Sequence, residues 1–429
     1  MVNHHLCAGA GLSSICFQQE LFPLDGIMSV HDNPSVKILV LKCKEQVAIA
    51  SVEMVMLPPE MIQDAKKIIS MITNTKEENI WIHTTHVITT PHAPHAPIGM
   101  GGVPLEISEE EKKNLAYKLD LFRKPLMDAF TKASEDAAAS FRTARMGVGV
   151  TECHINTNRD ICTPYGWWIN FAPEGPSNHT ATILRFDDEY GAPIAALINY
   201  GLKPCCIDNS EMDSCSRQVS SDVPGLACTL LEDQFGAPVL FTMSAAGDQV
   251  PVEQAWYDVV NEDGTIHKVD LGVQAGLEMV NRLGRKMADS LAPALSQISC
   301  EQDAPVICMD SSQIQWPGKG RMKFQLTKNI EFISQGTQTV DAMVIAIGDV
   351  ALVGTKPEIN TITEEQLQEK SPYKHTLLVS MVNGGQKYMP DRASYDHYTW
   401  ESQSSALMPG AAEAWVDEAA NVLNRMYNQ

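Results

Sequence analysis

Residues 180–204 read TATILRFDDEYGAPIAALINYGLKP, and the rest of the chain is understood outward from them. Two apolar arms, TATILRF (180–186) and PIAALINY (193–200), flank the turn-forming run Asp187-Asp188-Glu189-Tyr190-Gly191, so the stretch predicts a β-hairpin. Lys203-Pro204-Cys205-Cys206 follows shortly after the second arm. A lysine at the end of a buried strand is either a charge partner or perturbed base, or a side chain that snorkels to water. On the second view the two cysteines pack as small apolar groups.

The same grammar recurs on both sides. VKILVLK (36–42) and QVAIASVEMV (46–55) are separated by Cys43-Lys44-Glu45 and predict a strand pair. Met61 to Ile72 has helical spacing, and a short strand at Asn79 to Ile82 runs into a histidine-rich segment. Ser108 followed by Glu111 forms a capping box for a long helix to Phe141, with a break expected near Pro125. Further on, Val223 to Phe235 predicts a helix closed by Gly236, followed by a strand, PVLFTMS, and a second long helix from Leu271 to Ser296. Met343 to Val353 predicts a hairpin turning at Gly348-Asp349, and Ala411 to Met426 a last helix. Strands that pair both as hairpins and through helices imply an α/β (α+β) class, a mixed β-sheet core with flanking helices. With no repeat and no low-complexity linker, residues 1–429 are expected to form a single domain. Thr89 to Gly102, rich in Pro, His and Gly, is expected to be a loop.

Composition narrows the function. A net charge of −21, with no dense basic patch, excludes nucleic acid as a partner and favours a small-molecule substrate. No run of 18 apolar residues exists, so no stable membrane insertion is expected. Met1-Val2-Asn3-His4-His5 does not read as a secretory signal. The 11 cysteines are odd in number and form no CxxC pair, which points to a reduced, cytoplasmic protein.

Four places put reactive side chains just beyond a strand. His83-Thr84-Thr85-His86, with His92 and His95 following, is either a metal or catalytic segment or a loop with incidental histidines. Lys203 is the second. The third is Ser244-Ala245-Ala246-Gly247-Asp248, whose small residues let a ligand approach and whose Asp248 either orients a base or makes a turn. Glu358, in Gly354-Thr355-Lys356-Pro357-Glu358, is either a ligand or general base or an ordinary exposed glutamate. Gly9 and Gly11 in Ala8-Gly9-Ala10-Gly11 do not make a phosphate loop, because no helix-opening lysine follows.

In order and spacing these places resemble the catalytic domain of the neutral ceramidase family. Cys7-Ala8-Gly9-Ala10-Gly11 and Ser29-Val30-His31-Asp32-Asn33-Pro34 look like its opening segments, and Thr85-His86-Val87-Ile88-Thr89-Thr90-Pro91 its first zinc motif, with Ile88 in place of a second histidine. Asn158-Arg159 matches a pair that contacts substrate. Leu202-Lys203-Pro204 stands where the family has C-H-P, so Lys203 replaces a zinc-ligand histidine. Ser221-Asp222-Val223-Pro224-Gly225 and Ala245-Ala246-Gly247-Asp248 match two further motifs, Glu358 fits the glutamate ligand, and Tyr388 survives from a segment holding two tyrosines. The resemblance covers almost the whole chain but not the family's C-terminal immunoglobulin-like domain.

It implies a hydrolase of an amide bond in a small or lipid-like molecule. In the family a zinc-bound water attacks the carbonyl. The metal set carried over is His86, Glu358 and Tyr388. Catalytic roles are expected at His86, Lys203, Glu358, Asp248 and Ser244, and substrate contacts at Asn158, Arg159 and Tyr388. Because a protonated lysine cannot ligate, three outcomes are open: His83, His92 or Cys205 completes the zinc site, Lys203 is neutral or carbamylated, or its ammonium replaces the metal. The alternative function is a metal-free small-molecule binding protein on the same fold.

Overall fold

The computed structural model describes residues 5–96, 105–211 and 217–428. Eight strands form one large sheet: β1 (Cys7–Ser14), β2 (Ser35–Lys42), β3 (Gln46–Val52), β4 (Ile80–Thr84), β5 (Arg142–Glu152), β6 (Thr180–Asp188), β7 (Pro193–Tyr200) and β8 (Val239–Met243). Their order is β8-β7-β6-β5-β1-β2-β3-β4. The two outermost pairs, β3/β4 and β7/β8, are parallel and the inner pairs antiparallel. Helices α1 (Pro59–Thr73) and α3 (Asp222–Phe235) supply the crossovers that parallel pairing needs.

Along β2 the buried side chains alternate between two cores. Ile38 and Val40 pack under α1 and α2 (Glu109–Ala139), whereas Leu39 and Leu41 face the other way. On the far side they meet a second, four-stranded sheet of β9 (Ile307–Lys319), β10 (Ser334–Ile347), β11 (Val350–Gly354) and β12 (His375–Val379), through Ile345, Ile347 and Leu352. That sheet alternates in turn: Val344, Ala346 and Val353 face Leu367 of α5 (Thr361–Lys370) and Trp415 and Leu423 of α6 (Ala411–Tyr427). The layers therefore run helices, sheet, sheet, helices, with α4 (Val273–Gln297) beside α3 on the outer face.

The mixed sheet is thus two stacked sheets. Pro125 departs from expectation: α2 runs unbroken from 109 to 139 with the proline inside it. One lost backbone bond is tolerated there because Phe122, Leu126, Phe130, Ala133 and Ala137 anchor the helix on the core. The capping box is formed as expected, Ser108 Oγ accepting from Glu111 N at 3.2 Å. Gly9 and Gly11 let α2 lie directly on β1, since a Cβ at either would fall 2.2 and 2.1 Å from the carbonyl oxygens of Ala137 and Ala133. The loop after β4 has no regular element as far as Ala96, and residues 97–102 of the expected loop lie outside the described residues.

Candidate active site

The carboxyl ends of β4, β7, β8, β11 and β12 converge, which is where ligands collect in open α/β sheets. His83 is the staple. Its Nδ1 lies 2.7 Å from the Ser380 carbonyl and its Nε2 3.0 Å from the Met243 N–H, which fixes the proton on Nδ1. Complete burial pushes its pKa down to about 4, so the ring is neutral. With both nitrogens engaged, His83 joins the two sheets and has nothing left for a metal.

Three residues on, the chain turns through His86 at φ +59°. The loop is tied to the lysine segment by Ile88 N–H to Pro204 O (3.1 Å) and to the region before α3 by Thr89 Oγ1 to Ser220 O (2.9 Å). Glu358 and Tyr388 are set side by side by backbone pairing, because the short strand Glu358–Ile359 runs parallel to Tyr388–Met389 with these two residues in register. Strand ends remote in sequence thus deliver four side chains to one place. His86 Nδ1 is 3.1 Å from Glu358 Oε1, Lys203 Nζ is 2.6 Å from Glu358 Oε2, and Lys203 donates to Tyr388 Oη at 2.7 Å. The His86 approach is off-axis, leaving Nδ1 without a well-directed hydrogen bond.

Electrostatics make this a charged cluster despite its depth. Burial disfavours the Glu358 carboxylate, but His86 and Lys203 outweigh it and hold its pKa down to about 2. Burial and the nearby Arg159 both work against the Lys203 ammonium, yet Glu358 and Tyr388 keep its pKa above the ordinary value.

Arg159 also lies against Tyr388, its guanidinium 5.5 Å from the ring centroid, while Lys203 Nζ is 4.6 Å from it. Its fork is held by Glu401, 2.7 Å from Nε, whose side chain is fully buried. Asn158 is the bridge behind it: its amide donates to Pro176 O and Asp248 Oδ2, and its Oδ1 accepts from Asp160 N. Asp248 accepts from Thr361 N and Oγ1, so it caps α5 and fixes Asn158. Burial raises its pKa to about 6. Ser244 Oγ donates to Glu364 rather than to any member of the His86 cluster. The structure therefore brings His86, Lys203, Glu358, Tyr388 and Arg159 together. It places Asn158, Asp248 and Ser244 in a supporting layer whose hydrogen bonds are spent within the protein.

Several contributors carry no signal in the sequence. Glu401 is a lone glutamate 242 residues from its arginine. Asp208 lines the cleft, and burial raises its pKa to about 7 against the pull of Lys203 and Arg159. Asp222 was visible only as part of a motif. At φ +56° and fully buried, it accepts from Cys206 N at 3.0 Å and Ile207 N at 3.4 Å, so it holds the segment that follows Lys203. The neighbouring Ser221 donates both N–H and Oγ to Asp32 at 2.6 Å, which ties the Ser29–Pro34 motif to the start of α3.

Lys203 and Tyr388 of the cluster, with Arg159, reach a cleft of about 400 Å³ walled by Ile88, Ile169, Trp256, Tyr257 and Trp400, which His86 and Glu358 do not line. Apolar walls around a few convergent polar groups are the usual form of a small-molecule site. Zinc fits these residues poorly. Among the described residues no group of three or more His, Cys, Asp or Glu side chains could hold a metal ion. His92 pairs with Asp25, half exposed, and the buried Cys205 sulfur accepts from Gln254 at 3.3 Å, its thiol pushed well above the ordinary range by burial.

No family model matches this sequence, and no curated protein is detectably similar to it. Solved structures are. A ceramidase complexed with C2 superposes with a TM-score of 0.72 at 11% identity, over 99% of this chain and 76% of that one. The neutral ceramidase from Pseudomonas aeruginosa does so with a TM-score of 0.70 at 13% identity, over 99% and 75%. At such identities the likeness establishes a shared fold: this chain folds as those neutral ceramidases do, over nearly its full length.

Proposed function

We propose that this chain, built on the neutral ceramidase fold, hydrolyses an amide bond in a small, partly apolar or lipid-like molecule. The observation that carries the reading is a buried cluster of an imidazole, a carboxylate, an ammonium and a phenol, of which the ammonium of Lys203 and the phenol of Tyr388 line an aromatic cleft. His86, whose side chain is 15% exposed, lies 3.1 Å from Glu358 and serves as the general base in this reading. Lys203 donates to Tyr388 Oη, which leaves the phenol's own proton to meet a substrate carbonyl oxygen. A donor backed by two buried cations stabilises the charge that develops on that oxygen.

In this scheme His86 takes a proton from water and the water oxygen bonds to the carbonyl carbon. As the C–N bond breaks, the proton passes from His86 to the leaving amine, giving a carboxylic acid and an amine. The test is a panel of N-acyl amines with products read by mass spectrometry. Turnover in the parent protein, lost in H86A with the fold retained, supports the reading. Absence of any product, or unchanged turnover in H86A, overturns it.

One observation favours a second reading, a binding protein. Lys203 and Arg159 are each already paired with a buried carboxylate, Glu358 and Glu401. Tight binding of an N-acyl compound with no product would select it. No helix among the described residues is long and apolar enough to cross a membrane, which is compatible with the cytoplasmic, soluble setting proposed for either reading.

A further inference from the structure

Lys203 is the residue that the preceding scheme explains least, because a lysine in this position is costly to bury. Its ammonium does what a bound cation does. It touches a carboxylate oxygen at 2.6 Å and a phenol oxygen at 2.7 Å, with the imidazole of His86 on the far side of the same carboxylate. We propose that the ammonium of Lys203 is the resident cation of this site, so that His86, Glu358 and Tyr388 form a coordination shell closed to metal by a side chain of the protein itself.

The geometry leaves no room for both. A zinc ion bonds carboxylate oxygen at about 2.0–2.2 Å. An ion bound to Glu358 Oε2 in the pocket between these side chains would stand within a few ångström of Nζ. Two like charges at such a separation repel strongly in a buried site. The side chain of Lys203 is only 3% exposed, and Tyr388 and Glu358 hold it on two sides, so it cannot swing out to water without leaving Glu358 uncompensated. The other donors nearby are committed, His83 at both nitrogens and Cys205 to Gln254. The consequence is specific. Replacing Lys203 with histidine would remove the ammonium and add a second imidazole to that of His86, beside the carboxylate of Glu358 and the phenol of Tyr388, and should create a zinc site.

The inference concerns metal binding and stands apart from the hydrolase reading, which the substrate panel decides by itself. The test is zinc binding by calorimetry and elemental analysis on the full chain, comparing the parent protein with K203H and K203M. The expected result is no stoichiometric zinc in the parent or in K203M, and about one zinc per chain in K203H with at least a hundredfold tighter binding. One zinc per chain in the purified parent overturns the inference, as does a folded K203H that binds zinc no better than the parent. Should K203H fail to fold, the parent decides. Saturable one-to-one zinc binding there overturns the inference, and its absence while K203M stays folded upholds it.

Discussion

Glu358 Oε2 lies 2.6 Å from Lys203 Nζ, and each of the two side chains is only 3% exposed. Both are charged, since the pKa of Glu358 is held down to about 2 and that of Lys203 is raised. Breaking a buried pair from one side leaves a bare charge and costs about 3–5 kcal/mol, whereas removing both charges is often near neutral. We therefore expect E358Q to lower unfolding free energy by about 3 kcal/mol and the double variant K203M/E358Q to recover most of that loss. Urea denaturation of the two single variants and the double checks it. A double variant no more stable than E358Q would mean that the pair does not act as a unit.

Arg159 calls for a different reading of mutants than its sequence position suggests. An arginine that only gripped substrate would be removable without harm to the fold, but its partner Glu401 is fully buried. R159A should thus cost about 3–5 kcal/mol in stability, and lost activity in that variant would not report on substrate contact. R159K keeps the charge and gives up the planar fork, so it should lose less, about 1–2 kcal/mol. Paired denaturation curves with ligand-binding measurements separate the two effects.

Much of this site was legible because each reactive residue follows a strand that reads as a strand by itself. His86, Lys203 and Glu358 lie just past the apolar runs of β4, β7 and β11, and their chemistry stands out against them. Their meeting was not legible from local pattern, because it depends on strands of two different sheets stacking through Leu39, Leu41, Ile345 and Leu352. The second sheet itself was half hidden: β9 is exposed on alternate residues over much of its length and carries Asp310, Ser311 and Gln313, so its sequence reads as polar. Glu401 and Asp208 are single carboxylates without a motif, and only tertiary packing gives them partners. Pro125 misled in the opposite sense, since a local breaker was overruled by the core beneath it.

Gly11 tests the packing that supports all of this. A Cβ there would lie 2.1 Å from Ala133 O and 2.8 Å from Ala137 N, backbone atoms of α2 that cannot step aside singly. G11A should cost about 2–3 kcal/mol by forcing helix and sheet apart. Gly191, at φ +85° with nothing within 4 Å, is the contrasting site, where G191A should cost about 1 kcal/mol from backbone conformation alone. Similar losses of thermal stability in both variants would contradict the close approach of α2 to β1.

Glu364 gives the supporting layer a pH signature. It is 2% exposed, accepts a hydrogen bond from Ser244, and has its pKa pushed up by burial from 4.5 to about 7. Below pH 4.5 the carboxyl is protonated in both the folded and unfolded chain, so it contributes no pH dependence. Between 4.5 and 7 the unfolded chain has released the proton and the folded protein keeps it, so stability falls by at most about 1.4 kcal/mol per pH unit from this group. Well above pH 7 the penalty is complete and constant, on the order of 3 kcal/mol. Glutamine matches the protonated acid in shape and does not ionise. E364Q should equal the parent protein near pH 4.5 and exceed it by about 3 kcal/mol at pH 8, measured by urea denaturation across that range. Asp248, raised by burial to about 6, adds a slope of the same sign that survives in E364Q. An advantage for E364Q that is the same size at pH 4.5 and pH 8 would show that Glu364 ionises as freely in the fold as in the open chain.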